Sequence, residues 1–303
     1  MDMLELNIWK GDWGLPSVDI ECLQVLAYSK FNDVPLKINT TGNPFKTPHG
    51  RLPLLRSSSG TFDTAKDIIE FLRERKYNAE YELSRDDCGK IMAYHALVKE
   101  KLFPAIQFSW WIDEKNVNEL IRPWYCKALN FPLNLYYPGK FERQAHTMFE
   151  ALYPKEDDMS VIENQVYSEA QQCLTLLSTS LGESEYFLGQ TPTMLDAIIY
   201  SYLAPLLKAP VPNKYLQNHL KACTNLVSYV SRISDRYFED EDRKYKKCAE
   251  STKKYSENEF PNKARNQIFA GFFVTLVMAA YIFSTGILEK WKLARIPLRH
   301  VTR

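Results

Sequence analysis

Twenty-one consecutive residues without a charge, Ile268 to Leu288, constrain this 303-residue sequence more than any other feature. At the helical rise of about 1.5 Å per residue such a run reaches roughly 30 Å, the thickness of a bilayer's hydrocarbon core. Eleven of its residues are Leu, Ile, Val or Phe, and Ile268, Phe272, Phe273, Leu276, Val277, Ile282 and Leu288 spread that character along its length. At about 0.3–0.6 kcal/mol each, insertion gains about 3–6 kcal/mol before Gly, Thr and Ser subtract. A buried soluble helix of this length would show a polar stripe every third or fourth residue, and none is present. Residues 268–288 are therefore read as one transmembrane helix.

The flank adds a direction. Lys290, Lys292, Arg295, Arg299 and Arg303 oppose only Glu289, so residues 289–303 carry +4 in a chain whose total is +1. The rest of the chain thus nets to −3. A basic stretch beside a span anchors it to anionic headgroups, although solvation of a short tail favours Lys and Arg as well. A span placed this late leaves the ribosome only when synthesis ends, so insertion after translation is expected, with the bulk of the chain facing the cytosol. The N-terminal stretch has neither a secretory hydrophobic region nor the Arg-rich character of a transit peptide, the first arginine being Arg51.

With 45% apolar and 25% charged residues, the chain before the span suits packed domains rather than disorder. Six cysteines, at positions 22, 88, 126, 173, 223 and 248, show no CxxC spacing, and five isolated histidines form no HExxH. Neither a disulfide framework nor a metal site is expected. The near-neutral charge, with no basic stripe interleaved with aromatics, argues against nucleic acid.

Leu4, Leu6 and Ile8 alternate with polar neighbours as a half-buried strand does, and Gly11 to Pro16 breaks the pattern. Ser17 is expected to cap a helix carrying Val18, Cys22, Val25, Leu26 and Phe31. Pro35 to Ile38 reads as a second strand. Arg51–Leu55 and Thr61–Phe62 flank a Ser-Ser-Ser-Gly turn, a hairpin with Pro53 inside its first strand. Thr64 then caps a helix with Asp67 closing the box at its third position. The order is βαββα. From about Ser84 the periodicity is helical, with breaks expected at Pro104, Pro123, Pro132, Pro138, Pro154, Gly182, Pro192 and Pro210–Pro212. Residues 239–266 are dominated by charge and read as a solvated linker.

A small βαββα unit followed by helices resembles the glutathione transferase architecture. Pro53 stands where that fold carries a cis-proline, and FLGQTPTMLDA (187–197) resembles its helical-domain motif, in which Thr193 caps a helix and Asp196 closes the box. Both are read as folding elements. Longer phrases narrow the match: GDWGLPSVD (11–19), PLKI (35–38), KYNAEYELS (76–84), EKLFPAIQFSWWID (100–113), RPWY (122–125), FPLNLYYPGK (131–140) and QCLTLLS (172–178) together resemble the metaxin family, above all its members that end in a tail anchor.

The resemblance implies an α+β chain: a thioredoxin-like domain over residues 1–76 and an all-α glutathione-transferase-like domain over 84–238. The linker 239–266, the span and the basic tail 289–303 would follow. It also implies a non-enzymatic subunit of the mitochondrial outer-membrane sorting and assembly machinery, in protein import and β-barrel insertion. Its implied partners are metaxin-2 and the outer-membrane β-barrel insertase, with a wider link to the cristae-organising complex.

In the transferase fold the activated Tyr, Ser or Cys follows strand one, and here only Ser17 stands there, where a helix cap is wanted. Cys22 falls on the apolar face of its helix. Asp63 and Thr64 occupy the place that holds the γ-glutamyl end in that fold, so a membrane-tethered glutathione-dependent transferase or reductase remains the rival reading; no catalytic residue, cofactor or metal is assigned. An anchored adaptor at another organelle is a third. Trp110, Trp111, Trp124 and Tyr125 belong to an aromatic cluster read mainly as core packing, with a partner surface as the alternative; one of the adjacent pair Trp110 and Trp111 is expected to be buried and the other to face a groove or partner.

Overall fold

The computed structural model describes residues 4–241 apart from 41–46, 48–49, 79–82 and 157, together with 243, 245, 271–273, 275 and 278. Met1–Lys247 form one compact unit and Cys248–Arg303 a second. Alternation in LELNI gives β1 (Leu4–Ile8), whose Leu4, Leu6 and Ile8 are buried. β1 pairs in parallel with β2 (Leu36–Thr40), Leu6 opposite Ile38, and antiparallel with β3 (Leu54–Ser57), Leu6 opposite Leu55. A turn at Ser58–Ser59 leads to β4 (Gly60–Phe62), giving the sheet order β2-β1-β3-β4. The Leu52–Pro53 peptide is cis. β3 begins just after Pro53 rather than enclosing it, because proline has no N–H to give the ladder.

α1 (Ile20–Phe31) and α2 (Ala65–Glu74) follow β1 and β4. Thr64 caps α2 by accepting from the Asp67 N–H at 3.1 Å, which is the Thr64 half of the expected box. The helical part runs through α3 (Arg85–Leu97), α4 (Phe103–Trp111), the short α5 (Glu114–Asn116), α6 (Arg122–Ala128), α7 (Leu133–Leu152), α8 (Met159–Leu181), α9 (Met194–Lys208), α10 (Tyr215–Ala222) and α11 (Thr224–Tyr237).

Three expected breaks are corrected. Pro104 and Pro123 sit in the first turns of α4 and α6, each directly after a π-helical turn, Val98–Leu102 or Val117–Ile121. There the Phe103 N–H reaches back to the Val98 carbonyl and the Arg122 N–H to that of Val117. A widened turn makes room for a ring that donates nothing, so the helix continues through it. α7 likewise runs through Pro138.

α9 forms the centre. Every residue from Leu195 to Leu206 is buried, so this helix shows no polar face and is covered on all sides; α1, α3, α10 and α11 pack around it. Its first turn has no access to water, and the expected Thr193–Asp196 box supplies what water would have given. The Thr193 N–H and Oγ1 donate to one Asp196 carboxylate oxygen at 2.8 and 3.0 Å. The Phe187 N–H and the Tyr229 hydroxyl donate to the other, both at 3.1 Å. Burial raises the Asp196 pKa above the usual carboxylate range, against the pull of these hydrogen bonds.

In the second unit only Gly271, Phe272, Phe273, Thr275 and Met278 are described; all are helical, with Phe272 and Phe273 each 70% exposed. Among the described residues no helix is long and apolar enough to cross a membrane. The expected span's remaining residues, including Ile268, Leu276, Val277, Ile282 and Leu288, and the basic tail from Lys290 to Arg303 lie outside the described residues.

Asp196→Ala leaves the Thr193 N–H and hydroxyl and the Phe187 N–H without their acceptor, while the Tyr229 hydroxyl keeps the backbone carbonyl of residue 196 at 3.1 Å. At about 1–3 kcal/mol for each unsatisfied group, the variant should lose about 3 kcal/mol or more, read from urea unfolding followed by tryptophan fluorescence.

Candidate functional site

The stretch between β1 and α1 is folded tightly against the helical part. The Leu15 N–H closes a turn on the Asp12 carbonyl at 2.9 Å, with Trp13 and Gly14 in the left-handed region at φ 56° and 75°. Gly11 leaves no room for a side chain, since a Cβ there would lie 2.1 Å from the Leu15 carbonyl oxygen. Two polar bonds tie this turn to distant helices: Trp124 Nε1 donates to Asp12 Oδ2 at 2.7 Å, and Lys208 Nζ to the Gly14 carbonyl at 3.2 Å.

The expected cap of α1 is corrected. The helix begins at Ile20, so the capping position falls to Asp19, whose backbone is extended and whose carboxylate accepts the Cys22 N–H at 2.9 Å. Ser17 lies two residues earlier, fully buried, its hydroxyl accepting from the Asp19 N–H at 3.3 Å. It braces the cap and is closed off from any substrate.

In the aromatic cluster, the expectation that one of Trp110 and Trp111 faces outward is corrected. Trp110, Trp111 and Tyr125 are only 7, 5 and 6% exposed, and Trp124 is half-buried. Trp13 sets its ring edge-on to Trp110 at 6.1 Å and tilted to Trp124 at 5.8 Å. Trp111 packs on Tyr125 and Phe141, each at 5.3 Å, and Trp9 meets Tyr125 at 6.2 Å. Adjacent residues on a helix point about 100° apart, yet both tryptophans are covered because aromatics of the β1–α1 stretch and of α6 and α7 flank α4 on two sides.

Between these elements lies a cavity of about 470 Å³, within the range of small-ligand sites. Asp19, Glu21 and Lys99 line it beside Trp110, Trp111 and Tyr125. A second cavity of about 320 Å³ shares Asp19, Glu21, Phe141 and Gln144 with the first. Its other walls include Arg51, Leu52, Asp63, Thr64 and Lys140. The two form one cleft at the place where the resemblance sets a glutathione site.

Its chemistry is unsuited to thiol activation. The Cys22 thiol is pushed well up, by burial first and by the Asp19 charge second, so it stays protonated and unreactive. Burial also raises the Tyr125 hydroxyl far above its usual range. Asp19 is raised by burial, against the pull of the Cys22 N–H, and Glu21 by burial and by Asp19, against the pull of Arg51 and Lys99. A carboxylate at the α1 N-terminus disfavours a thiolate beside it. Among the described residues no group of His, Cys, Asp or Glu is arranged to hold a metal ion. By sequence Asp19 and Glu21 fall in the first turn of this helix, where negative charge is favoured; the structure moves Asp19 to the capping position.

Residues 22–142 match the family described as outer mitochondrial membrane transport complex protein, and residues 170–233 the glutathione S-transferase C-terminal domain. Metaxin-1 of Bos taurus is 40% identical over 289 residues, covering 94% of this chain and 91% of its own. Metaxin-1 of Mus musculus is 39% identical over 299 residues, covering 97 and 94%, and metaxin-3 of Xenopus laevis 42% over 242, covering 79 and 78%. Among solved structures, glutathione transferase F2 of Populus trichocarpa and a β-etherase of Sphingobium sp. strain SYK-6 each superpose with a TM-score of 0.51 at 14% identity, covering 80% of this chain and 99% of theirs. At that identity they establish the fold: a glutathione-transferase-like sheet-and-helix part followed by a helical part.

Asp19 offers a test of what the cleft costs. An acid whose folded pKa exceeds its unfolded value stabilises the fold where it is protonated, and that contribution is lost as pH rises from its unfolded pKa through the folded one. Asn caps a helix as well as Asp does, so Asp19→Asn should raise Tm at neutral pH and flatten its decline above about pH 4. Asp19→Ala, which also loses the cap, should be about 1 kcal/mol less stable than Asp19→Asn. A lower Tm for Asp19→Asn in thermal scans at pH 7 would contradict this account.

Proposed function

The chain belongs to the metaxin family, and from that premise we propose that it is a non-enzymatic subunit of the mitochondrial outer-membrane sorting and assembly machinery, serving protein import and β-barrel insertion. The observation that carries this reading is similarity over 94% of the chain to metaxin-1, supported by the match of residues 22–142 to an outer mitochondrial membrane transport complex protein. The cleft is consistent with it, because Ser17 is sealed, Cys22 is held protonated and Asp19 stands at the helix N-terminus.

On this reading a thioredoxin-like domain, residues 1–76, and a helical domain, residues 84–238, face the cytosol. The linker 239–266 joins them to the transmembrane helix 268–288, with the basic tail 289–303 beyond the bilayer. Metaxin-2 and the β-barrel insertase are the partners, and the cristae-organising complex a wider one. A membrane-tethered glutathione-dependent enzyme is the second reading, favoured by Asp63 and Thr64 lining the cleft beside Leu52 and the cis peptide that follows it.

Tagged full-length protein, recovered from solubilised mitochondria, should bring down metaxin-2 and the insertase; recovery of neither sinks the proposal. Loss of residues 260–303 should move the product from the carbonate-resistant pellet to the supernatant, and retention in the pellet would remove the anchor. Calorimetric titration with glutathione should be flat. Binding together with a conjugation activity lost in Ser17→Ala would instead establish the enzyme.

A further inference from the structure

The corner joining α6 to α7 turns apolar side chains outward. Phe131 is 78% exposed, Leu135 68% and Tyr136 46%, all within one short stretch. Single exposed apolar residues are ordinary, but a contiguous group at a convex corner marks a surface that meets something. Its surroundings are basic. From Arg122 to Arg143 the cations Arg122, Lys127, Lys140 and Arg143 oppose only Glu142, a net +3 in a chain of +1. Glu142 is already paired with Arg122. Lys140 sets its ammonium 5.6 Å over the Tyr137 ring, which holds the charge beside the corner. Tyr136 lies about two turns before Arg143, so that cation shares its face of α7.

Aromatic and aliphatic side chains collared by Lys and Arg suit a lipid interface, where rings sit at headgroup depth and cations meet phosphates. A protein interface selects against Lys at its centre. We propose that the α6–α7 corner inserts Phe131, Leu135 and Tyr136 into the headgroup layer of an anionic bilayer, with Lys127, Lys140 and Arg143 on the lipid phosphates. This rests on the membrane placement given above and adds a second contact that lays the globular part against the lipid. Each of these cations strengthens association with an anionic surface about fivefold.

Two native thiols make the test direct. Cys126 is exposed on α6, its Sγ 3.5 Å from the Asn134 carbonyl at the base of the corner, and Cys88 is exposed on the distant α3. Full-length protein in which Cys223 and Cys248 are serine, with either Cys126 or Cys88 retained, is labelled with an environment-sensitive nitrobenzoxadiazole probe. It is then placed on vesicles of phosphatidylcholine with or without phosphatidylserine. The Cys126 probe should shift to the blue only on anionic vesicles, and the Cys88 probe on neither. Phe131→Ser with Leu135→Ser should abolish the shift, and Lys127→Gln should lower the ratio of docked to undocked corner about fivefold. A water-like Cys126 probe on anionic vesicles that carry the protein overturns this inference alone, as does a shift that appears only when a protein partner is added. Failure of the full chain to float with any vesicle overturns the membrane placement together with it.

Discussion

Burying the start of α9 removes polar donors from water, and the Asp196 carboxylate receives the Thr193 N–H that opens the helix together with donors from its neighbours. A helix end enclosed in protein must find its acceptors within the protein or lose several kcal/mol. Asp196 meets that demand with two oxygens and joins three elements in doing so, since Thr193 opens α9, Phe187 belongs to the preceding loop and Tyr229 to α11. Once this end is satisfied, α9 can be apolar on every side, and α1 and the helices of the second half have a common surface on which to assemble.

The aromatic seam joins the sheet half to the helices by a different means. Trp9 and Trp13 follow β1, while Trp110, Trp111, Trp124, Tyr125 and Phe141 come from α4, α6 and α7. Large rings bury much area with little conformational entropy, which suits a junction between two dissimilar surfaces. Polar ends are not wasted: the Trp124 indole finds Asp12 across the seam. The same composition that admits a partner surface in sequence therefore closes an internal one. Phe131, Leu135 and Tyr136, by contrast, are exposed farther along, at the turn into α7.

The cleft keeps the shape of a ligand site while its chemistry has moved. Asp19 keeps a carboxylate where a thiolate would need a donor, and it does so against its own desolvation. Arg51, Lys99 and Lys140 balance the acids around the opening.

By itself the sequence determined what depends on neighbours along the chain. Alternation in LELNI and the turn before Gly60 specified strands, and the Thr193–Asp196 and Thr64 spacings specified helix starts, because propensity and capping act within a few residues. Long unbroken phrases such as EKLFPAIQFSWWID carried the family. Only the tertiary structure decided which polar residue caps α1, how the chain stays helical through Pro104, Pro123 and Pro138, and that both Trp110 and Trp111 face inward. The burial of the two tryptophans turns on groups brought together from far apart, as Trp13 and Trp110 are. Burial and pairing at such separations are set by packing, to which no local pattern is sensitive.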